Sequence, residues 1–105
     1  MSTFEDLEKV FETKYSANPG KDPKLLIRRD CLLAYWIAKR INIPNIEQYA
    51  IEIINADIAS DDHDGVVRKI SEDLTIANKE LPIENINILM DELLEQAKKQ
   101  ISESN

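Results

Sequence analysis

"KLLIRRDCLLAYWIAKRI", residues 24–41, is the stretch on which the fold turns. Its apolar residues fall on most sides of a helix, leaving a narrow polar stripe carried by Lys24, Arg28 and Lys39. A helix of that kind persists in water only when other helices cover it. Trp36 is expected to be the largest side chain of the core that results. The helix has a clear start, because Asp22 is a good N-cap residue and Pro23 suits the first turn.

Downstream, Asn42 to Asn45 with Pro44 inside reads as a tight connector. Ile46, Tyr49, Ile53, Ile54 and Ile58 then share one helical face. The run "IEIINADI" is rich in β-branched residues and could form a strand. Its length and 3.6-residue period favour helix. "SDDHDG" is the next turn, followed by a short helix bearing Val66, Val67, Ile70 and Leu74. A loop through Asn78 to Pro82 leads to the last helix, where Ile83, Ile86, Met90, Leu93, Leu94, Ala97 and Ile101 make a continuous stripe. Lys98 and Lys99 complement its C-terminal dipole, and the tail "SESN" is expected to fray.

Upstream lies a shorter amphipathic segment, "TFEDLEKVFETKYS", with Phe4, Leu7, Val10, Phe11 and Tyr15 at helical spacing. Ser2 and Glu5 have capping-box spacing, with Thr3 a competing cap, and Asn18-Pro19-Gly20 ends the helix. The expected organisation is therefore an all-α four-helix bundle over residues 21–105, behind an N-terminal helical arm over residues 1–20.

The 105 residues suit one domain, and a hydrophobic content of 43% with only 6% aromatic makes its core mainly aliphatic. The net charge of −7 argues against a general binder of nucleic acid or anionic membrane. Cys31 is the single cysteine, which precludes an internal disulfide or a cysteine zinc cluster and suits a small buried hydrophobe. "MSTFEDLEK" lacks a signal-peptide pattern, and no apolar run is long enough to span a bilayer. A soluble protein of a reducing compartment is expected, monomeric when free.

No chemistry assembles along the chain. A calcium loop beginning at Ser60 would place Asp62, Asp64 and Gly65 correctly but would need a carboxylate where Ser71 stands. Acids around a helix N-terminus explain that run better. His63 is the only histidine and has no second imidazole or cysteine near it, so neither zinc nor a nucleophilic triad has support. Asp91, Glu92 and Glu95 read as a solvated face. Arg28-Arg29, with Lys24, could hold a nucleotide phosphate, although a surface ion pair is the simpler use. There is no glycine-rich phosphate loop, so no cofactor or catalytic residue is assigned and the chain is read as a binder, not an enzyme.

The arm's stripe then becomes the functional question. An isolated helix this short is marginal in water, and the later helices have enough apolar surface to close on one another. The Asn-Pro-Gly break uncouples arm from bundle. A partner's surface is the favoured cover, with the arm's own bundle as the alternative. Glu5, Asp6, Glu8 and Glu12 outnumber Lys9 and Lys14, which suits a groove with a basic rim.

"TFEDLEKVFETKY", "RRDCLLAYWIAK", "YAIEIINADI", "VVRKISEDL" and "MDELLEQAKKQI", in that order and spacing, resemble the ATPase inhibitor subunit zeta family of alphaproteobacteria. The resemblance implies a four-helix bundle with an N-terminal inhibitory segment. That segment inserts at a catalytic alpha–beta interface of the F-type ATP synthase, beside the central stalk, and blocks hydrolytic rotation. It implies the alpha, beta and gamma subunits as partners and a cytoplasmic location at the inner face of the plasma membrane. Carried over by position, the segment is about residues 1–16, with Phe4, Leu7, Glu8, Val10, Phe11, Lys14 and Tyr15 as its contacts. Two departures stand out. "NPGKDP" replaces a stretch that usually continues as helix, and Asp30-Cys31 follows the double arginine where Asn and a basic residue are usual. A diverged helical interaction protein with weak inhibition is the alternative, and a low-affinity nucleotide-binding module the more distant one.

Overall fold

The computed structural model describes residue 9 and residues 22–60 and 64–104. Within them the chain forms four helices and no strand: α1 (Pro23–Ile41), α2 (Ile46–Ala59), α3 (Asp64–Ile76) and α4 (Ile83–Ser104). Apart from Lys9 the arm, and with it the boundary at residue 20, lies outside the described residues. Consecutive helices pack on each other and α4 returns to α1, so the four close into a ring.

The helix boundaries follow from short local signals. The Asp22 carboxylate accepts the backbone N–H of Leu25, and Pro23 stands where no donor is needed. At the other end Asn42 adopts a left-handed conformation with φ 60°, and the next N–H, from Ile43, donates to the Ala38 carbonyl at 2.9 Å. Asn78 repeats the device after α3, with φ 60° and the Lys79 N–H donating to the Leu74 carbonyl at 2.8 Å. Asn45 caps α2 by accepting from the Gln48 N–H at 3.0 Å. The Ile-rich run of α2 is helical, as its period required.

The core is aliphatic. Ile27, Cys31, Leu33, Ala34 and Ile37 of α1 meet Ile53 and Ile54, then Val66, Ile70 and Leu74, then Ile86 and Met90. Cys31 is buried, as expected of a small apolar side chain. Three expectations need correction. Trp36 is not the heart of this core: it is 38% exposed. Nine residues beyond Ile27, at 3.6 residues per turn, it faces about half a turn away from the Ile27–Cys31–Ala34 ridge. Ile83 is 52% exposed and precedes the buried stripe instead of joining it. The tail does not fray at Ser102, because Ser102–Ser104 continue α4 with no glycine or proline to end it.

Gly65 is required by packing. A Cβ there would collide with the side chain of Ser60 and lie 3.0 Å from the Ala56 carbonyl oxygen, so the start of α3 presses against the end of α2. The clash is partly with backbone, which cannot swing aside. Gly65→Ala should therefore cost about 1–3 kcal/mol, as overpacking does, despite alanine's better helix propensity. Chemical denaturation of the two proteins measures it, and an unchanged or increased stability would contradict the close approach.

Candidate functional site

The residues assigned from sequence to partner contact, Phe4, Leu7, Glu8, Val10, Phe11, Lys14 and Tyr15, all lie outside the described residues. Asp61, Asp62 and His63 do too. Asp64, which follows them, stands in the first turn of α3, where a carboxylate complements the dipole. On α4, Asp91, Glu92 and Glu95 are exposed as expected, with Lys98 donating to Glu95 at 3.2 Å.

The double arginine behaves differently from the surface pair expected of it. Arg28 Nη1 donates to Gln100 Oε1 at 3.1 Å, tying α1 to the far end of α4. Arg29 is buried. Its Nε and Nη2 both donate to Asp30 Oδ1, at 3.1 and 2.9 Å, and Nη2 also donates to Asp57 Oδ2 at 3.0 Å. One guanidinium thus bridges two buried carboxylates, one on its own helix and one on α2. Burial raises the Asp30 carboxyl well above its usual range; the Arg29 charge opposes this and the neighbouring Asp57 adds to it. With Arg29 engaged in this way, a phosphate-binding use of the pair loses its chief donor.

A second polar cluster joins α2 to α3. The Tyr49 hydroxyl donates to Asp73 Oδ2 at 2.6 Å, and Lys69 donates to both Glu52 and Asp73 at 3.1 Å. The Lys69 ammonium also lies 5.1 Å from the centre of the Tyr49 ring. Burial, then the accepting Asp73, pushes the Tyr49 hydroxyl up, so it remains a donor. Partial burial works against charge on Lys69, but its bonds to Glu52 and Asp73 outweigh that and raise it.

The third feature was invisible in the sequence. Between α1 and α4, Trp36 and Arg40 face Leu81, Asn85, Ile88, Leu89 and Glu92 across a groove of about 290 Å3. The Arg40 guanidinium stacks 5.7 Å from the Trp36 ring centre, within cation–π range. Its Nε is buried and has no hydrogen-bond partner. Ile88 is 56% exposed on the opposite wall. Helical spacing turns Trp36 away from the core ridge, but only the fold brings α4 beside it.

Comparison with protein families decides the assignment, because a family model for ATPase inhibitor subunit zeta matches residues 1–100. The chain belongs to the ATPase inhibitor subunit zeta family. Comparisons with curated proteins and with solved structures return no significant match. The all-α bundle agrees with the fold expected from the resemblance. Membership makes this zeta-family chain a regulator associated with an ATP synthase. Among the described residues no helix is long and apolar enough to cross a membrane.

The buried triad gives a sign-definite pH prediction. With Asp30 raised, the folded chain binds a proton that the unfolded chain has released at any pH between the ordinary aspartate range and the raised value. The triad's contribution to stability is therefore fullest at the acidic end of that window and falls as pH rises through it. Asp30→Asn should hold the neutral form permanently, keep stability at pH 7 and flatten that slope. Arg29→Ala leaves buried carboxylates without their cation and should cost about 3–5 kcal/mol. Denaturation curves across pH check both, and an unaltered slope in Asp30→Asn would remove Asp30 as its source.

Proposed function

We propose that this chain inhibits ATP hydrolysis by the F-type ATP synthase, and that its N-terminal segment is the inhibitory element. In this reading residues 1–16 enter a catalytic alpha–beta interface beside the gamma subunit, with Phe4, Leu7, Val10, Phe11 and Tyr15 buried against the partner. Glu8 and Lys14 sit at its polar edge. The observation that carries the reading is that the family match covers residues 1–100, taking in the N-terminal segment along with the four helices. The closed ring of four helices supports it, since α1 and α4 already meet without a fifth helix between them. The protein then works as a monomer at the cytoplasmic face of the membrane, where the catalytic sector projects, and performs no chemistry itself.

A second reading rests on "NPGKDP". A proline and a glycine at that position weaken any rigid continuation from arm to bundle, which would give binding with reduced inhibition.

Titrating the purified chain into the matching catalytic sector separates them. Hydrolysis should fall to a low residual rate, and Phe11→Ala should raise the concentration for half-inhibition on the order of tenfold to a hundredfold, the effect of losing a buried aromatic anchor. Unchanged turnover at saturating protein would overturn the inhibitory reading. Binding measured in the same sample without loss of rate would select the second.

A further inference from the structure

We propose that the groove between α1 and α4 is a docking site for the chain's own N-terminal segment, which takes up Phe4 when the protein is free; this rests on the inhibitory reading and adds a regulation to it. The chemistry of the groove defines its occupant. Trp36, Leu81, Ile88 and Leu89 offer an apolar slot of about 290 Å3, sized for one or two side chains. Arg40 closes one side with a buried Nε that has no acceptor, while Asn85 and the exposed Glu92 stand on the α4 wall. The complementary ligand is an apolar side chain flanked by a carboxylate. Phe4 followed by Glu5, with Glu8 one helical turn further on, has that composition.

Connectivity supports the same occupant. The segment joins the bundle at Asp22, the N-cap of α1. Trp36 stands 13 residues beyond Pro23, or about 20 Å along the helix at 1.5 Å per residue. If residues 17–21 reverse the chain and the arm runs back along α1 as a helix, Phe4 comes about 18 Å from Ser16, level with the groove. Glu5 is then the glutamate of the arm nearest to Lys39 and Arg40 at the C-terminal end of α1. A slot of this size takes one or two side chains of the five in the stripe, which leaves the rest for the synthase to cover. A docked state lowers apparent affinity in proportion to its population; with about nine-tenths docked, half-inhibition needs about tenfold more protein.

The test uses the full chain with a nitroxide on Thr3→Cys; native Cys31 is fully buried and is spared by the label. Amides of residues 85–92 and the Trp36 indole N–H should be broadened, and Ile88→Glu, a change at a half-exposed position, should abolish that broadening. The same substitution should lower the concentration for half-inhibition by up to about tenfold. Broadening confined to the first turn of α1, or indifferent to Ile88→Glu, would overturn the proposal. So would broadening seen only on an isotope-labelled chain mixed with spin-labelled chains, which would mean that a second copy fills the groove. Failure here leaves inhibition by the unsubstituted protein untouched, and that is read separately by its hydrolysis titration.

Discussion

The structure depends on covering one helix. α1 presents apolar side chains on more than one flank and also buries a charge, so it has to be surrounded and its charge has to be matched. Neighbours α2 and α4 supply the first requirement. Asp57 supplies part of the second, from a position 28 residues along the chain. Apolar packing alone would tolerate small slips between α1 and α2. A guanidinium bound to carboxylates at 2.9 and 3.0 Å tolerates far less, so we regard the Arg29 bridge as what fixes their register.

Much of this was legible in the sequence, and for identifiable reasons. Asp22-Pro23 and Asn45 mark helix starts through short-range bonding, which needs no knowledge of the fold. The Ile-rich α2 is helical because its 3.6-residue period outweighs the strand preference of its β-branched residues. Trp36 is large enough to suggest a core position, but its angular place opposite Ile27, which follows from spacing alone, turns it outward. The burial of Arg29, where the sequence suggests a surface ion pair, has a deeper reason. Nothing adjacent in sequence shows that a charged pair will be buried, since that depends on Asp57 arriving from another helix. The groove at Arg40 and the close approach at Gly65 are likewise products of assembly, not of local pattern.

Most charged groups inside this bundle serve as ties between helices. Arg28 reaches α4, Arg29 reaches α2, and Lys69 on α3 reaches Glu52 on α2. Arg40 differs, because it lines a groove and its buried Nε has no hydrogen-bond partner on another helix. The four helices close on one another through these ties, and on the proposed function the N-terminal segment is the part that meets the synthase.

Amide hydrogen exchange of the full chain, alone and bound to the ATP synthase catalytic sector, tests the central claim most directly. The account predicts that residues 3–16 gain strong protection on binding while α1–α4 keep the protection they had. Protection gained across the helices, with residues 3–16 exchanging as before, would show that the bundle and not the arm makes the contact.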